Sequence, residues 1–308
     1  MTEPIKASEL IVVDGKIYHL GLRPDQLARN IFVVGDPARA DKVAAHFDSV
    51  EHRANNREYV TRTGTYQGMP VTVIATGIGT DNSEIAAVEA FGLNEINLET
   101  RTRKEALPLT VIRIGTSGGP QRNIPVGTLA ISEYALGLDN TGLFYDAPVP
   151  DEISRTIEIE AYKIITNATP HNRRFRGKIH PYVSKSSPEV VSALARHIKD
   201  GYVLGITASA SGFYGPQGRE IPGLRITIPG LQEHLAKLKV DELRVVNIEM
   251  ESSLLFHLLT QMSYRSGTVC PIIANRPAGT FLNDYGPAVE RAITGGLSAM
   301  LDLYKRDQ

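Results

Sequence analysis

Arginines at the ends of apolar runs are the first residues of this sequence that could do chemistry. Arg39 follows an apolar run that breaks at Gly35, Arg113 lies inside the apolar run 109–114, and Arg276 follows a third run. Removing a guanidinium from water is costly unless a negative charge meets it, and backbone N–H groups at a helix start also bind anions. The pattern predicts an anion site. Arg39 taken alone is more typical of an ordinary strand-to-helix turn with a solvated arginine.

The segment after Arg113 offers two kinds of chemistry. The hydroxyls of Thr116 and Ser117 and the backbone of the surrounding glycines are suited to a phosphate pocket. The same letters match Gly-x-Ser-x-Gly, in which Ser117 would be the nucleophile of a hydrolase. That motif needs a helix directly after the serine, which the following glycines, Pro120 and Pro125 disfavour. The phosphate interpretation is therefore preferred.

A third group of residues could recognise a flat heterocycle. In an extended segment Gln217 and Arg219 point the same way. The glutamine amide suits an edge where an N–H lies beside a carbonyl, and the arginine adds donors for a second carbonyl. Phe213 is available to stack on the ring. The pattern predicts a pyrimidine-2,4-dione as ligand, with a plain polar surface loop as the alternative.

Acidic residues after a later apolar run point to a sugar. Glu251 could accept hydrogen bonds from the two hydroxyls of a ribose, and Met250 could pack against the ring as an apolar wall. Acids at the start of a helix are also expected from the helix dipole alone. Both interpretations stay open at this point.

The glycine-rich segment 76–83 resembles the opening of a nucleotide-binding loop. It lacks the third glycine of the dinucleotide motif and the lysine of a P-loop. We interpret it as a turn in which backbones approach closely, with Ser83 as a helix cap.

These residues must be positioned by short buried strands that alternate with helices, which predicts one α/β domain over 1–308 with a mainly parallel or mixed sheet. The segment 94–108 is polar and charged, and we expect a surface insertion there. Strands are predicted over 31–34, 71–76, 110–114, 127–132, 202–208, 244–248 and 268–274. Helices are predicted over 38–46, 83–93, 153–167, 188–198, 230–238, 250–264 and 287–303.

Composition excludes several classes of protein. The 33 basic and 34 acidic residues leave a formal net charge of -1, so neither nucleic acid nor a membrane surface is an expected partner. A single cysteine, Cys270, excludes an intramolecular disulfide framework. The eight histidines have no zinc-like spacing, and no metal is expected. With no signal-like N-terminus, the expected location is the cytoplasm.

Taken together, eight segments resemble the nucleoside phosphorylase I family, in its uridine-cleaving branch. They are YHLGL, VVGDPARA, NNREYV, ATGIG, RIGTSGG, FYGPQGR, NIEMESS and IIANR. Purine-specific relatives place an aspartate after the last strand, where this chain has Asn275 and Arg276. The resemblance implies a single-domain, three-layer α/β fold with a twisted central mixed sheet flanked by helices.

The resemblance also implies a role for each matching residue. The expected reaction is reversible phosphorolysis of uridine to uracil and ribose 1-phosphate in pyrimidine salvage, a pentosyl transfer without a covalent enzyme intermediate. Catalysis would rest on Arg113, Thr116, Gln217 and Arg219. Phosphate would be bound by Gly35, Arg39, Arg113, Thr116 and the neighbouring subunit's Arg57. Ribose would be bound by Thr116, Met250, Glu251 and the neighbour's His19, and the base by Phe213, Gln217, Arg219, Glu249 and Arg276.

The implied assembly is at least a homodimer, possibly within a hexamer, and the only implied co-substrate is inorganic phosphate. Bacterial relatives hold a monovalent cation with residues that match Glu58, Ile78 and the turn after Gly79. This chain differs in that turn, so a potassium site is not expected. Three alternatives stay open: a purine nucleoside phosphorylase, a nucleoside hydrolase on the same fold, and a catalytically inactive nucleoside-binding protein.

Overall fold

The computed structural model describes residues 3–308 and places most of the strands in one large mixed sheet. The strands are β1 (Val12–Val13), β2 (Lys16–Ile17), β3 (Asn30–Val34), β4 (Ser49–Asn56), β5 (Tyr59–Tyr66), β6 (Met69–Ala75), β7 (Ile96–Asn97), β8 (Thr102–Arg103), β9 (Thr110–Ile114), β10 (Ser117–Gly119), β11 (Leu129–Gly137), β12 (Tyr182–Lys185), β13 (Tyr202–Ser209), β14 (Lys239–Val240), β15 (Leu243–Glu249), β16 (Arg265–Asn275) and β17 (Thr280–Phe281). The helices are α1 (Pro37–Ala44), α2 (Thr80–Glu95), α3 (Glu152–Ala168), α4 (Pro188–His197), α5 (Leu231–Leu235), α6 (Ser252–Gln261) and α7 (Gly286–Arg306).

The main sheet has the order β12-β11-β13-β15-β10-β16-β9-β3-β6-β5-β4. Neighbours β6, β3, β9 and β16 run parallel, as do β11, β13 and β15, whereas β10 pairs antiparallel with β15. The predicted mixed sheet is confirmed. β10 is parallel to β16, so the two parallel groups run in opposite directions in the sheet. Within each group the strands end at the same edge, and the loops that follow them meet there.

Helices cover both faces of this sheet. The sheet residues Phe32 and Ile112 are fully buried beneath the helices α1, α4 and α7. Their sequence neighbours Ile31 and Val111 point the other way, towards α2 and α6. Side chains alternate along a strand, so a run that is apolar at every position must be covered on both faces. The predicted three-layer α/β fold is confirmed.

All seven predicted helices and all seven predicted strands are present, with shifted ends. The antiparallel pair β4 and β5 was not predicted from the sequence. β4 has the sequence SVEHRANN and alternates between exposed and half-buried positions at the edge of the sheet. An edge strand of this kind lacks the apolar run by which buried strands are found.

The inserted segment 94–108 is on the surface as predicted, but it is ordered by the N-terminal part of the chain. It contains the hairpin of β7 and β8. Arg101 donates from Nε to the carbonyl of Ile5 at 2.8 Å and from Nη2 to the carbonyl of Lys6 at 2.9 Å. The insertion therefore holds the N-terminal residues Ile5 and Lys6 against the rest of the fold.

Among residues 3–308, no helix combines the length and apolar character needed to cross a bilayer.

Candidate active site

A cavity of about 670 Å³ opens between the segments that follow β3, β9, β13 and β15. Ten of the thirteen residues predicted for the site line it: Gly35, Arg39, Arg113, Thr116, Phe213, Gln217, Arg219, Glu249, Met250 and Glu251. Since these come from four separate segments of sequence, the fold brings together the predicted anion, sugar and base groups. A wider groove of about 940 Å³ lies at the opposite end of the strands, where Arg103 is already paired with Glu95.

Arg39 brings a positive charge to the cavity, and within residues 3–308 no carboxylate forms a salt bridge with it. It lies in the first turn of α1, which Asp36 caps by accepting the N–H of Ala38 at 2.9 Å. Arg39 is buried, donates from Nη1 to the carbonyl of Ile114 at 3.3 Å, and makes no salt bridge within residues 3–308. Burial and the positive charge of Arg113 lower the pKa of Arg39. A buried cation of this kind is stabilised by an incoming anion.

Arg113 has partners within the protein, which corrects the expectation that an external anion alone would meet it. Its Nη1 lies 2.9 Å from Glu249 Oε2, and its Nη2 pairs with Glu251. Burial alone would lower the pKa of Arg113, but the two carboxylates outweigh it and raise the pKa above the ordinary value. Arg113 is therefore charged and held in place before any ligand binds.

Two small residues of the site were not predicted from the sequence, and they make room for Arg113. The Cys270 thiol accepts from Arg113 Nη1 at 3.1 Å. Burial raises the pKa of Cys270 to about 11, so it stays a neutral thiol rather than a nucleophile. A Cβ at Gly115 would lie 2.0 Å from Arg113 Nη1 and 2.7 Å from Cys270 Sγ. Only glycine fits there.

Glu251, which is predicted to bind the sugar, is held by the residue that precedes α2. Glu251 Oε1 accepts the backbone N–H of Gly79 at 2.7 Å, and Gly79 has a φ of 103°, which favours glycine. The prediction of Ser83 as helix cap is wrong, because α2 begins at Thr80 and Ser83 is buried inside its first turns. Gly77 and Ile78 line the cavity, so this turn belongs to the site.

The base-facing groups lie together, although the backbone differs from the extended segment that was expected. Gln217 ends a 3₁₀ turn, and Gly218 follows with a φ of 68°. Arg219 nevertheless reaches back, with Nη2 3.4 Å from Gln217 Oε1 and its guanidinium carbon 4.1 Å from the Phe213 ring centre. Burial and the neighbouring charge of Arg276 lower the pKa of Arg219. The three side chains predicted to bind the base therefore lie side by side.

Arg276 and Glu249 lie around these three side chains and are both engaged with the protein. Arg276 Nη1 donates to the backbone carbonyl of Gln217 at 3.0 Å, which places it behind the base-facing turn. Glu249 accepts from the backbone N–H of Glu251 and of Ser252, each at 3.1 Å, besides its pair with Arg113. Its acceptor capacity is largely used within the protein. The base contacts of Arg276 and Glu249 stay predictions.

His19 and Arg57 do not line this cavity, and the role expected for them in a neighbouring subunit stays a prediction. Arg57 Nη2 donates to the Tyr18 hydroxyl at 3.1 Å, and its guanidinium carbon lies 5.1 Å from the Tyr18 ring centre. Asn56 donates to the carbonyls of Tyr18 at 2.9 Å and His19 at 2.8 Å. The two residues therefore form one surface unit, although 37 positions separate Asn56 from His19.

The alternative of a serine nucleophile is not supported by the geometry. Ser117 begins the strand β10, and no helix follows it. Its hydroxyl is buried and donates to the carbonyl of Pro271 at 3.2 Å. Within residues 3–308, no group of three His, Cys, Asp or Glu side chains could hold a metal ion.

The family model of the phosphorylase superfamily matches residues 29–294. The chain belongs to the phosphorylase superfamily. Among superfamily members, a uridine phosphorylase of Thermococcus kodakarensis is 32% identical over 284 residues, which cover 90% of this chain and 83% of that protein. A uridine phosphorylase of Escherichia coli is 30% identical over 270 residues, which cover 84% of this chain and 86% of that protein.

A solved superfamily structure agrees with the fold. The crystal structure of a Trypanosoma brucei nucleoside phosphorylase, described as showing uridine phosphorylase activity, superposes with a TM-score of 0.85 at 33% identity. The match covers 95% of this chain and 99% of that one. A guanosine phosphorylase of Halorubrum lacusprofundi is also similar, at 24% identity over 278 residues. The superfamily thus includes relatives that act on either class of base.

Proposed function

We propose that this superfamily member is a uridine phosphorylase that converts uridine and phosphate reversibly into uracil and ribose 1-phosphate. The observation that carries the proposal is a single cavity lined by two buried arginines, the ribose acceptor Glu251, and the pair Gln217 and Arg219. Phosphorolysis needs an anion site, a sugar site and a base site next to one another, and each is represented here.

The contacts suggest how the reaction proceeds. Phosphate lies between Arg39 and Arg113, with the Thr116 hydroxyl beside it, and attacks ribose C1′ as the bond to the base lengthens. The transition state has oxocarbenium character. Negative charge develops on the departing uracil, where Gln217 and Arg219 donate hydrogen bonds that strengthen along the reaction.

Specific observations favour this reaction over the alternatives. A hydrolase needs no anion site, yet Arg39 is buried and has no carboxylate partner among residues 3–308. A purine enzyme needs a group for the purine N7, whereas Gln217 and Arg219 present donors suited to the two carbonyls of uracil. We propose that the chain acts as one cytoplasmic domain, with phosphate as co-substrate and no cofactor or potassium ion.

Uracil release is expected only when phosphate is present. Incubation of the protein with uridine, followed by absorbance, should give no uracil without phosphate and equal amounts of uracil and ribose 1-phosphate with it. Arsenate, which has the same charge and shape, should replace phosphate. Release without either anion would identify a hydrolase, faster cleavage of inosine than uridine would identify a purine enzyme, and binding of uridine without turnover would identify a nucleoside-binding protein.

Arg57 and His19 are proposed to complete the cavity of a neighbouring subunit, so the functional unit is at least a homodimer. Two inactive variants should then restore each other. Arg57→Ala retains an intact cavity but donates nothing, and Arg113→Ala has a defective cavity but still donates its own Arg57. Random pairing on co-expression makes about half of the dimers mixed, and each mixed dimer has one complete site of two, so the mixture should recover about a quarter of the wild-type activity. If the mixture stays inactive, Arg57 does not act across subunits.

A further inference from the structure

We propose that Glu89 is a positioning residue that fixes the His19 imidazole so that its Nε2 faces the ribose 5′-hydroxyl of a nucleoside bound in the neighbouring subunit. This inference rests on the proposed uridine phosphorylase function. It concerns a carboxylate on α2 that does not line the cavity of its own chain.

Glu89 holds His19 by both its backbone and its ring. Oε1 of Glu89 accepts from His19 N at 3.0 Å and lies 2.7 Å from His19 Nδ1. Oε2 accepts from Leu20 N at 2.8 Å. Leu20 is fully buried and anchors this turn in the core. The Glu89 carboxylate thus forms hydrogen bonds with two consecutive backbone N–H groups and with one ring nitrogen.

This contact determines which ring nitrogen of His19 is free. An ionised carboxylate only accepts, so the proton lies on Nδ1 and Nε2 carries the lone pair in the neutral ring. The His19 carbonyl is taken by Asn56 Nδ2 at 2.8 Å. Within residues 3–308, Nε2 is the one polar atom of His19 without a hydrogen-bond partner. It is therefore the atom available to a ligand.

The chemistry of the ribose indicates which hydroxyl would bind Nε2 of His19. In the proposed function, Glu251 accepts from the adjacent 2′- and 3′-hydroxyls, since one carboxylate reaches two neighbouring groups. The 5′-hydroxyl is then left, and a hydroxyl can donate to an unprotonated Nε2. The side chain of His19 is 26% exposed and that of Glu89 only 9%. The imidazole ring is therefore accessible to a ligand, whereas the carboxylate that holds it is largely buried.

The test compares Glu89→Gln on two nucleosides. Glutamine preserves shape, but its amide group presents donors, which favours a proton on Nε2 and removes the acceptor. We expect kcat/KM for uridine to fall about tenfold, the effect of one hydrogen bond, through KM for uridine rather than KM for phosphate. With 5′-deoxyuridine, which lacks the hydroxyl, the same variant should match the wild type.

Two controls separate positioning from general structural damage. Glu95→Gln changes a similarly buried carboxylate on the same helix, which pairs with Arg103 and Tyr264 instead, and should leave both nucleosides unaffected. In a His19→Ala background, Glu89→Gln should have no further effect. Equal losses on both nucleosides, or a full loss in that background, would overturn the proposal.

A measurement on the wild-type protein reports the state of the ring directly, and a variant serves only to assign its signal. Long-range nitrogen-15 NMR of histidine-labelled protein should show the neutral His19 ring protonated at Nδ1, assigned through the signal that His19→Asn removes. A ring protonated at Nε2 would contradict the proposal. If the protein forms no uracil from uridine and phosphate, the proposed function fails, and the NMR result then decides whether Glu89 sets the ring.

Discussion

Replacing Arg113 with alanine is expected to lower kcat/KM for phosphate at least about a thousandfold. The reason is more than the loss of one donor. Arg113 is balanced by Glu249 and Glu251, so its removal leaves two buried carboxylates next to the position of an incoming anion. Loss of one donor to a developing charge costs about a hundredfold to a thousandfold, and the repulsion adds to it. Initial rates over a range of phosphate concentrations measure the effect.

Two further variants keep this prediction testable if Arg113→Ala folds poorly. Arg113→Lys retains the charge but lacks the planar fork whose two nitrogens meet Glu249 and Glu251 separately, and an intermediate loss of about tenfold to a hundredfold is expected. Arg265→Ala is the matched control, because it also breaks an arginine ion pair, with Asp307, but outside the cavity. It should leave the phosphate dependence unchanged. An unaltered KM for phosphate in both Arg113 variants would remove this residue from the phosphate site.

Arg219→Ala is expected to abolish most of the preference for uridine. A site built to hydrogen-bond a polar edge discriminates strongly, because an unmatched ligand leaves its buried polar groups unpaired. Arg219 is held over Phe213 and next to Gln217, and the neighbouring Arg276 is occupied by the backbone carbonyl of Gln217. We expect kcat/KM for uridine to fall about a hundredfold and that for inosine to change no more than about threefold.

The control for Arg219 is an arginine of the same connecting segment. Arg225 is exposed and does not line the cavity, so Arg225→Ala should retain the wild-type ratio of uridine to inosine cleavage. Parallel falls for both nucleosides in Arg219→Ala would show that the residue supports the loop rather than reads the base.

The chemistry of the site follows from residue types, whereas its arrangement depends on partners distant in sequence. An arginine inside an apolar strand must be neutralised, and this pointed to Arg113. The sequence could not identify the neutralising groups, which lie 136 and 138 positions away. The need for glycine at position 115 could not be predicted from the sequence either. It arises because the Arg113 side chain packs against Gly115, where a Cβ would clash with it.

By itself, the sequence determined the α/β class, the buried strands and the groups that could bind an anion, a sugar and a flat base. It could do so because these depend on local patterns: apolar runs, glycine turns, and donors and acceptors at strand ends. Only the tertiary structure decided that Arg113 is paired before ligand binds, that Glu89 orients His19, and that His19 and Arg57 lie together outside their own cavity. The physical reason is that salt bridges and hydrogen bonds depend on distances in space, and folding alone sets the distance between residues far apart in the chain.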